Sequence, residues 1–132
     1  MYTNGNENFF WDSEHYPPIR VFGFPSKLDL EWLAERRDTR RPLSVELISA
    51  GIAGRDYQVE GIRTLLESIE GKKRKFLMVM ATGTGKTRTA AALTDVLIRA
   101  HWVKRVLFLV DRIPLQEQAL DAFKEHLPNA PT

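Results

Sequence analysis

The chain has 132 residues, of which 43% are hydrophobic and 27% are charged, and it carries a formal net charge of +2. This composition excludes a collagen-like or intrinsically disordered chain and is typical of one globular domain. The absence of cysteine excludes a disulfide scaffold and every thiolate metal site. A net charge this small permits nucleic-acid binding but does not by itself indicate a partner.

The sequence also predicts a cellular compartment. The longest apolar run, residues 76–81, is far shorter than the ~20 residues that a membrane-spanning helix needs. The opening stretch MYTNGNENFF lacks the basic and apolar regions of a secretion signal. Because a cysteine-free chain suits a reducing environment, we expect a cytoplasmic protein without membrane contact.

Residues 1–54 are predicted to be a lead-in segment with modest structure. Residues 1–18 show no period typical of a helix or strand, whereas residues 19–24 fit a short strand that Pro25 ends. Ser26 fits the N-cap of a following helix, which runs into an arginine cluster. The apolar residues of that helix are Leu28, Leu30, Trp32 and Leu33.

From Arg55 onwards the pattern predicts helices that alternate with apolar strands. The first helix ends at Gly71, and its apolar face consists of Ile62, Leu65, Leu66 and Ile69. Residues 76–81 and 106–110 are apolar at every position, as expected of strands buried on both faces of a parallel sheet.

Two more helices complete this pattern. The one predicted from Lys86 to Ala100 has Ala90, Leu93 and Leu97 on one side. The last helix has Pro114 at its first position, and its apolar stripe consists of Leu120, Phe123 and Leu127. Helices and strands in this order predict an α/β fold with right-handed crossovers over residues 55–132.

The strongest chemical signal is ATGTGKT, residues 81–87, between a predicted strand and a predicted helix. Glycines in this turn let backbone N–H groups approach a phosphate chain, and the helix start adds its positive dipole end. Lys86 can neutralise the β- and γ-phosphates, and the Thr87 hydroxyl can ligate Mg²⁺, so these two residues are the catalytic candidates. The predicted binding residues for ATP and Mg are Thr82, Gly83, Thr84, Gly85, Lys86 and Thr87.

Met80 departs from this phosphate-loop pattern, because the strict form G-x-x-x-x-G-K-[ST] has a glycine there. The competing interpretation is a Gly- and Thr-rich turn that contains GKT by chance. The strand before it and the helix after it favour the nucleotide site.

The sequence RDYQ, residues 55–58, opens the helix that precedes the phosphate-loop strand. The amide of Gln58 can pair with N6 and N7 of adenine, which would distinguish ATP from GTP. The alternative is an ordinary exposed polar residue. Arg55 and Tyr57 are both candidates to flank the base, and the sequence does not choose between them.

The stretch LFLVDRIPLQEQA, residues 107–119, has three interpretations. Asp111 could hold Mg²⁺ as a Walker B acid, or it could cap the last helix. Alternatively, this loop and the start of the last helix meet a nucleic acid, with backbone N–H groups and Arg112 near its phosphates. We favour nucleic-acid contact, because Arg112 follows where a Walker B strand would carry a second acid.

Three stretches of the sequence resemble the Q-motif, motif I and motif Ia of superfamily 2 helicases. They are, in that order, YQ, MATGTGKTRTA and RVLFLVDRIPLQEQA. The similarity is greatest to the motor of the R subunit of type I restriction enzymes. FFWD, YPPIRVFGFP and DLEWLAERR resemble the segment that leads into that motor. The resemblance covers roughly residues 9–127.

This resemblance implies an ATP-driven translocase on double-stranded DNA that works with other restriction-modification subunits and cleaves DNA. It implies a first RecA-like domain, in which Gln58 binds adenine, residues 82–87 hold ATP and Mg, and residues 111–118 border the DNA. The motor's DExH motif, its second domain and the nuclease domain are not in this sequence. We therefore expect a fragment with an incomplete parallel sheet, exposed apolar faces, weak ATP binding and negligible turnover.

Two alternatives remain open at the level of the sequence. A small phosphate-loop kinase would use Asp111 as its Mg²⁺ acid and would place strands 76–81 and 106–110 nearly side by side. A non-enzymatic interaction module would instead dock on a larger subunit. Its docking surface would consist of Phe9, Phe10, Trp11 and Trp32.

Overall fold

A computed structural model describes residues 1–12 and 16–128 of the chain. The chain forms two compact units, Met1–Thr39 and Arg40–Thr132. Across the described residues, the helices are too short or too polar to cross a membrane.

The first unit contains an antiparallel sheet of three strands, β1 (Tyr2–Thr3), β2 (Asn8–Asp12) and β3 (Tyr16–Val21), in that order. Strands β1 and β2 were not predicted, because the aromatic run of β2 shows no alternation of apolar and polar residues. The strand predicted over residues 19–24 is β3, but it starts earlier and ends at Val21. Val21 pairs with Asn8, the first residue of β2, so the strand has no partner beyond that point.

The first unit also contains helix α1 (Lys27–Thr39), which begins where the sequence predicted. Ser26 and Asp29 form a reciprocal cap: the Asp29 N–H donates to the Ser26 hydroxyl at 3.1 Å, and the Ser26 N–H donates to the Asp29 carboxylate at 3.2 Å. None of the residues of α1 is buried. The helix is therefore specified by its cap more than by a packed face.

The second unit contains helices α2 (Asp56–Glu70), α3 (Lys86–Arg99) and α4 (Ile113–His126), with a short 3-10 helix at Leu43–Val45. Helix α3 packs against both α2 and α4. The sequence predicted the ends of α2 and α3 to within one residue. The buried apolar core consists of Leu43, Ile52, Ala53, Ile62, Leu66, Ala91, Ala92, Val96 and Ala100.

The apolar faces of these helices agree only in part with the sequence patterns. In α2, Ile62 and Leu66 are fully buried, as predicted. In α3 the buried strip is centred on Ala91, Ala92 and Val96, and the predicted side is only half-buried. The reason is that α3 packs against both α2 and α4, so the residues of α3 that lie between these two helices are the most buried.

The two predicted strands are not strands in the described structure: neither residues 76–81 nor residues 106–110 belong to a sheet. Leu77 is 87% exposed and Leu109 is 79% exposed, although burial on both faces was predicted. A strand is held by the N–H and C=O groups of a neighbouring strand, and neither segment has such a neighbour here. The predicted parallel sheet is therefore absent from the described residues, whereas the exposed apolar faces expected of a partial sheet are present.

Residues 40–54 are held against α2 and α3 by ion pairs and hydrogen bonds from arginine side chains. The buried Glu46 carboxylate pairs with Arg41 at 3.1 Å and with Arg99 of α3 at 3.2 Å. From α2, Arg63 donates to the carbonyls of Ser44 at 3.0 Å and Glu46 at 3.2 Å. These contacts fix the segment that leads into Arg55 and the start of α2.

Candidate functional site

The predicted phosphate loop is a turn that leads directly into α3. Residues 82–84 turn and bend, and the helix begins at Lys86, where the sequence placed it. Gly83 has a φ of +78° and Gly85, the N-cap residue, has a φ of +83°. Both angles lie in the left-handed region that glycine adopts without strain, so the two glycines are required by the shape of the turn.

The loop is closed on one side by the carbonyl of Ala81. This oxygen accepts a hydrogen bond from the Thr84 hydroxyl at 2.6 Å and another from the Lys86 ammonium at 2.9 Å. Among the described residues, the ammonium group of Lys86 is thus hydrogen-bonded to a neutral carbonyl and forms no ion pair with a carboxylate. An anionic phosphate oxygen is a stronger acceptor for an ammonium group than a carbonyl is.

On the other side, the loop is bonded to the first turn of α2. The Thr84 carbonyl accepts hydrogen bonds from the Tyr57 hydroxyl at 2.9 Å and from Nε2 of Gln58 at 3.0 Å. Arg55 donates to the Tyr57 hydroxyl at 2.8 Å. The structure therefore brings RDYQ and the phosphate loop together.

Gln58 is only 4% exposed, and its amide lies against Gly85. A Cβ atom on Gly85 would be 2.5 Å from Nε2 of Gln58, which is closer than real Cβ contacts come. The alternative interpretation of Gln58 as an exposed polar residue is therefore wrong. Gly85 is needed for the close approach of this amide as well as for its φ angle.

Thr87 follows Lys86 in the first turn of α3 and is half-buried. A hydroxyl at this place is the type of ligand that Mg²⁺ takes together with phosphate oxygens and water, so the residues present fit the ion. In the loop itself, Thr82 and Gly83 are exposed. Over residues 1–12 and 16–128, no group of three or more His, Asp or Glu side chains forms a metal site.

The candidates for DNA contact, Asp111, Arg112 and Gln118, are all exposed. Asp111 and Arg112 approach each other to 3.8 Å, with side chains that are 78% and 77% exposed. Arg112 is the N-cap of α4, so the interpretation of Asp111 as the cap is wrong, and Pro114 is the second helical residue instead of the first. Throughout the described chain, no hydrogen bond or ion pair joins these three side chains to the phosphate loop.

Two residues of this region make contacts that the sequence did not predict: Tyr57, a candidate only to flank the base, and Arg88, for which no contact was expected. Tyr57 binds the Thr84 carbonyl, and Arg88 of α3 donates to the carbonyl of Gly51 at 3.0 Å. Both bonds join residues that are far apart in sequence. No local pattern of residues could have predicted either of them.

The described site is thus a glycine-containing turn at the start of α3 that is hydrogen-bonded to a buried glutamine of α2. Residues 51–132 match the ResIII family, described as "Type III restriction enzyme, res subunit". The match covers more than half of the chain, and the protein belongs to this family. No solved structure matches the chain.

Curated relatives confirm the resemblance to R subunits of type I restriction enzymes. The chain is 47% identical over 78 residues to the type I restriction enzyme EcoKI endonuclease subunit of Escherichia coli K12, which covers 59% of this chain and 7% of the relative. It is 41% identical over 69 residues to the EcoAI endonuclease subunit of Escherichia coli, covering 52% of this chain and 8% of that relative. A Staphylococcus saprophyticus endonuclease subunit is 32% identical over 74 residues, with coverages of 56% and 8%. The chain thus spans less than a tenth of these relatives.

Proposed function

We propose that residues 55–132 are the N-terminal part of the ATP-binding domain of a type I restriction enzyme motor, and that residues 1–54 lead into it. The observation that carries this proposal is the shared Thr84 carbonyl. It joins Gln58, the candidate adenine ligand, to the loop that would hold the phosphates, at 3.0 Å. A base ligand and a phosphate cradle in direct contact form a site for a whole nucleotide.

In this proposal the residues of the loop divide the work of holding ATP and Mg. Lys86 exchanges the Ala81 carbonyl for the β- and γ-phosphates, and Thr87 supplies its hydroxyl to Mg²⁺. Residues 83–87 would point backbone N–H groups at the phosphate chain, next to the positive end of α3. Gln58 pairs with the adenine edge.

The complete enzyme would use ATP hydrolysis to move along double-stranded DNA in the cytoplasm, together with other restriction subunits. Asp111, Arg112 and Gln118 would border the DNA at the start of α4. Their exposure supports this role. The ion pair between Arg112 and Asp111, at 3.8 Å and exposed to water, contributes little to stability, so the guanidinium can bind a phosphate instead. The bare apolar faces of residues 76–80 and 106–110 would be covered by strands of the complete domain.

The two alternatives stand differently against the structure. The kinase hypothesis expected residues 76–81 and 106–110 close together in one sheet, and in the described residues neither segment pairs with a strand. The interaction module has some support, since Trp11 is 54% exposed and Tyr2 packs edge-on against it. Co-purification of this chain with an intact restriction complex would favour the module.

The proposed ATP site is tested by equilibrium binding of Mg-ATP to the purified 132-residue chain. We expect weak binding that Lys86→Ala reduces by about tenfold or more, because hydrogen bonds from a charged group are worth about 1.5–3 kcal/mol. Lys124→Ala is the matched control, since this lysine is exposed at the far end of α4. Equal affinities of the wild type and Lys86→Ala would refute the site.

Turnover is tested in the same preparation. We expect negligible ATP hydrolysis with or without DNA, because in the described part of the chain no cluster of His, Asp or Glu side chains could hold Mg²⁺ at the loop. DNA-stimulated hydrolysis that Lys86→Ala abolishes would contradict this expectation and would show that the chain carries a complete motor site.

A further inference from the structure

We infer that Tyr57 is a positioning residue for base selection: its hydroxyl fixes the Thr84 carbonyl, and that carbonyl orients the amide of Gln58 for adenine. This role rests on the ATP site proposed above and adds a residue that determines its specificity. The chain of contacts runs from Arg55 through Tyr57 and Thr84 to Gln58.

The donor and the acceptor in each of these three hydrogen bonds follow from the chemistry of the groups involved. A guanidinium has only donors, so the Tyr57 hydroxyl must accept from Arg55, at 2.8 Å. The hydroxyl then has its own hydrogen to donate to the Thr84 carbonyl, at 2.9 Å. A carbonyl has only acceptor sites, so Gln58 can meet it only with the NH₂ end of its amide, at 3.0 Å.

The orientation of the amide decides which base it can bind. One hydrogen of Nε2 goes to Thr84, which leaves one N–H donor and the Oε1 acceptor of Gln58 for a ligand. Adenine offers the complementary pair, an acceptor at N7 and a donor at N6. Guanine offers acceptors at both N7 and O6, so Oε1 would face another acceptor.

The Tyr57 hydroxyl is needed because, in the described part of the chain, it and the Gln58 amide are the two side-chain groups that bind the Thr84 carbonyl. The peptide group of this carbonyl is flanked by Gly85, whose backbone rotates more freely than that of other residues. The two lone pairs of the carbonyl are filled by Tyr57 and Gln58, one each. Without the hydroxyl, the carbonyl and the amide can turn together, and the preference for adenine is weakened.

The test compares the affinities of the full 132-residue chain for Mg-ATP, Mg-GTP and inorganic tripolyphosphate. A bidentate pair with a base is worth at least about fivefold in discrimination. We therefore expect Tyr57→Phe to lower the ratio of GTP to ATP dissociation constants by about fivefold, and Gln58→Ala to abolish the preference. Arg55→Ala should act in the same direction with a smaller effect, because it leaves the Tyr57 hydroxyl free to rotate.

Tripolyphosphate separates base selection from a general loss of structure. We expect Tyr57→Phe to leave its affinity within about twofold, because the phosphate cradle is intact. Tyr2→Phe, in the other unit, is the matched control and should change neither ratio nor affinity. The inference is overturned if Tyr57→Phe keeps the wild-type ratio, or if all three ligands are weakened equally. Wild-type protein that binds neither ATP nor tripolyphosphate would overturn the nucleotide site itself, and this role with it.

Discussion

The phosphate loop and the two apolar segments, residues 76–80 and 106–110, show how differently neighbouring parts of one chain are specified. The loop is closed by its own residues and by α2: the carbonyls of Ala81 and Thr84 each accept hydrogen bonds from two side chains. The apolar segments have the composition of strands and lie outside any sheet. A loop at a helix start can form from local contacts, whereas a strand needs a second strand.

The apolar segments are nevertheless anchored on one side. Met78 reaches α2, where its Cε would be 3.2 Å from a Cβ on Gly61, and Phe108 packs against Phe123 of α4 at 5.3 Å between ring centroids. Leu77 and Leu109, at alternate positions, are 87% and 79% exposed, whereas Phe108 is 40% exposed. One face of each segment is therefore only partly covered by the helices, and the opposite face lies almost wholly in water.

The largest expected effect contrasts two identical substitutions, Leu66→Ala and Leu77→Ala. Leu66 is fully buried in the core, so its truncation should lower the free energy of unfolding by about 3 kcal/mol. Leu77 is mostly in water, so its truncation should change that free energy by less than about 0.5 kcal/mol. Urea denaturation of both variants measures the difference. Similar losses of unfolding free energy in both variants would mean that residues 76–80 are packed like the core, which would contradict their exposure.

An intermediate effect is expected within the loop, from Gly85→Ala and Gly83→Ala. Both positions have positive φ, so each substitution should cost about 1 kcal/mol of folding free energy. Only Gly85 lies against another group, Nε2 of Gln58, so its substitution should cost more and should also weaken ATP binding. Denaturation and ATP titration of the pair separate backbone strain from the displaced amide. Equal costs and equal affinities would contradict the contact.

The smallest effect on stability is expected from Leu77→Lys combined with Leu109→Lys. Both side chains are exposed, so the free energy of unfolding should stay within about 0.5 kcal/mol of the wild-type value. Self-association should fall, because unpaired apolar strand segments are templates for pairing with another chain. Sedimentation velocity measures the association. Leu28→Lys in α1 is the control, since that exposed leucine should not affect it.

Much of the helical structure could be predicted because its determinants are local. The Ser26 cap, the α2 face with Ile62 and Leu66, and the start of α3 at Lys86 each depend on residues within a few positions of one another. The short strands β1 and β2 could not be predicted, since their aromatic residues carry no clear period. The burial of the apolar segments was overpredicted. An apolar composition indicates that a segment can form a buried strand, but it does not show whether a neighbouring strand is present to pair with it.

The sequence by itself determined the candidate site's core: glycines at the two positions with positive φ, a lysine and a threonine at the head of a helix, and a family that the comparisons confirm. Only the tertiary structure decided that Tyr57 and Gln58 meet the Thr84 carbonyl, which is 27 and 26 positions away along the chain. A turn and a helix start are set by neighbouring residues along the chain. A hydrogen bond between distant residues is set by the packing of α2 against α3, which no local pattern encodes.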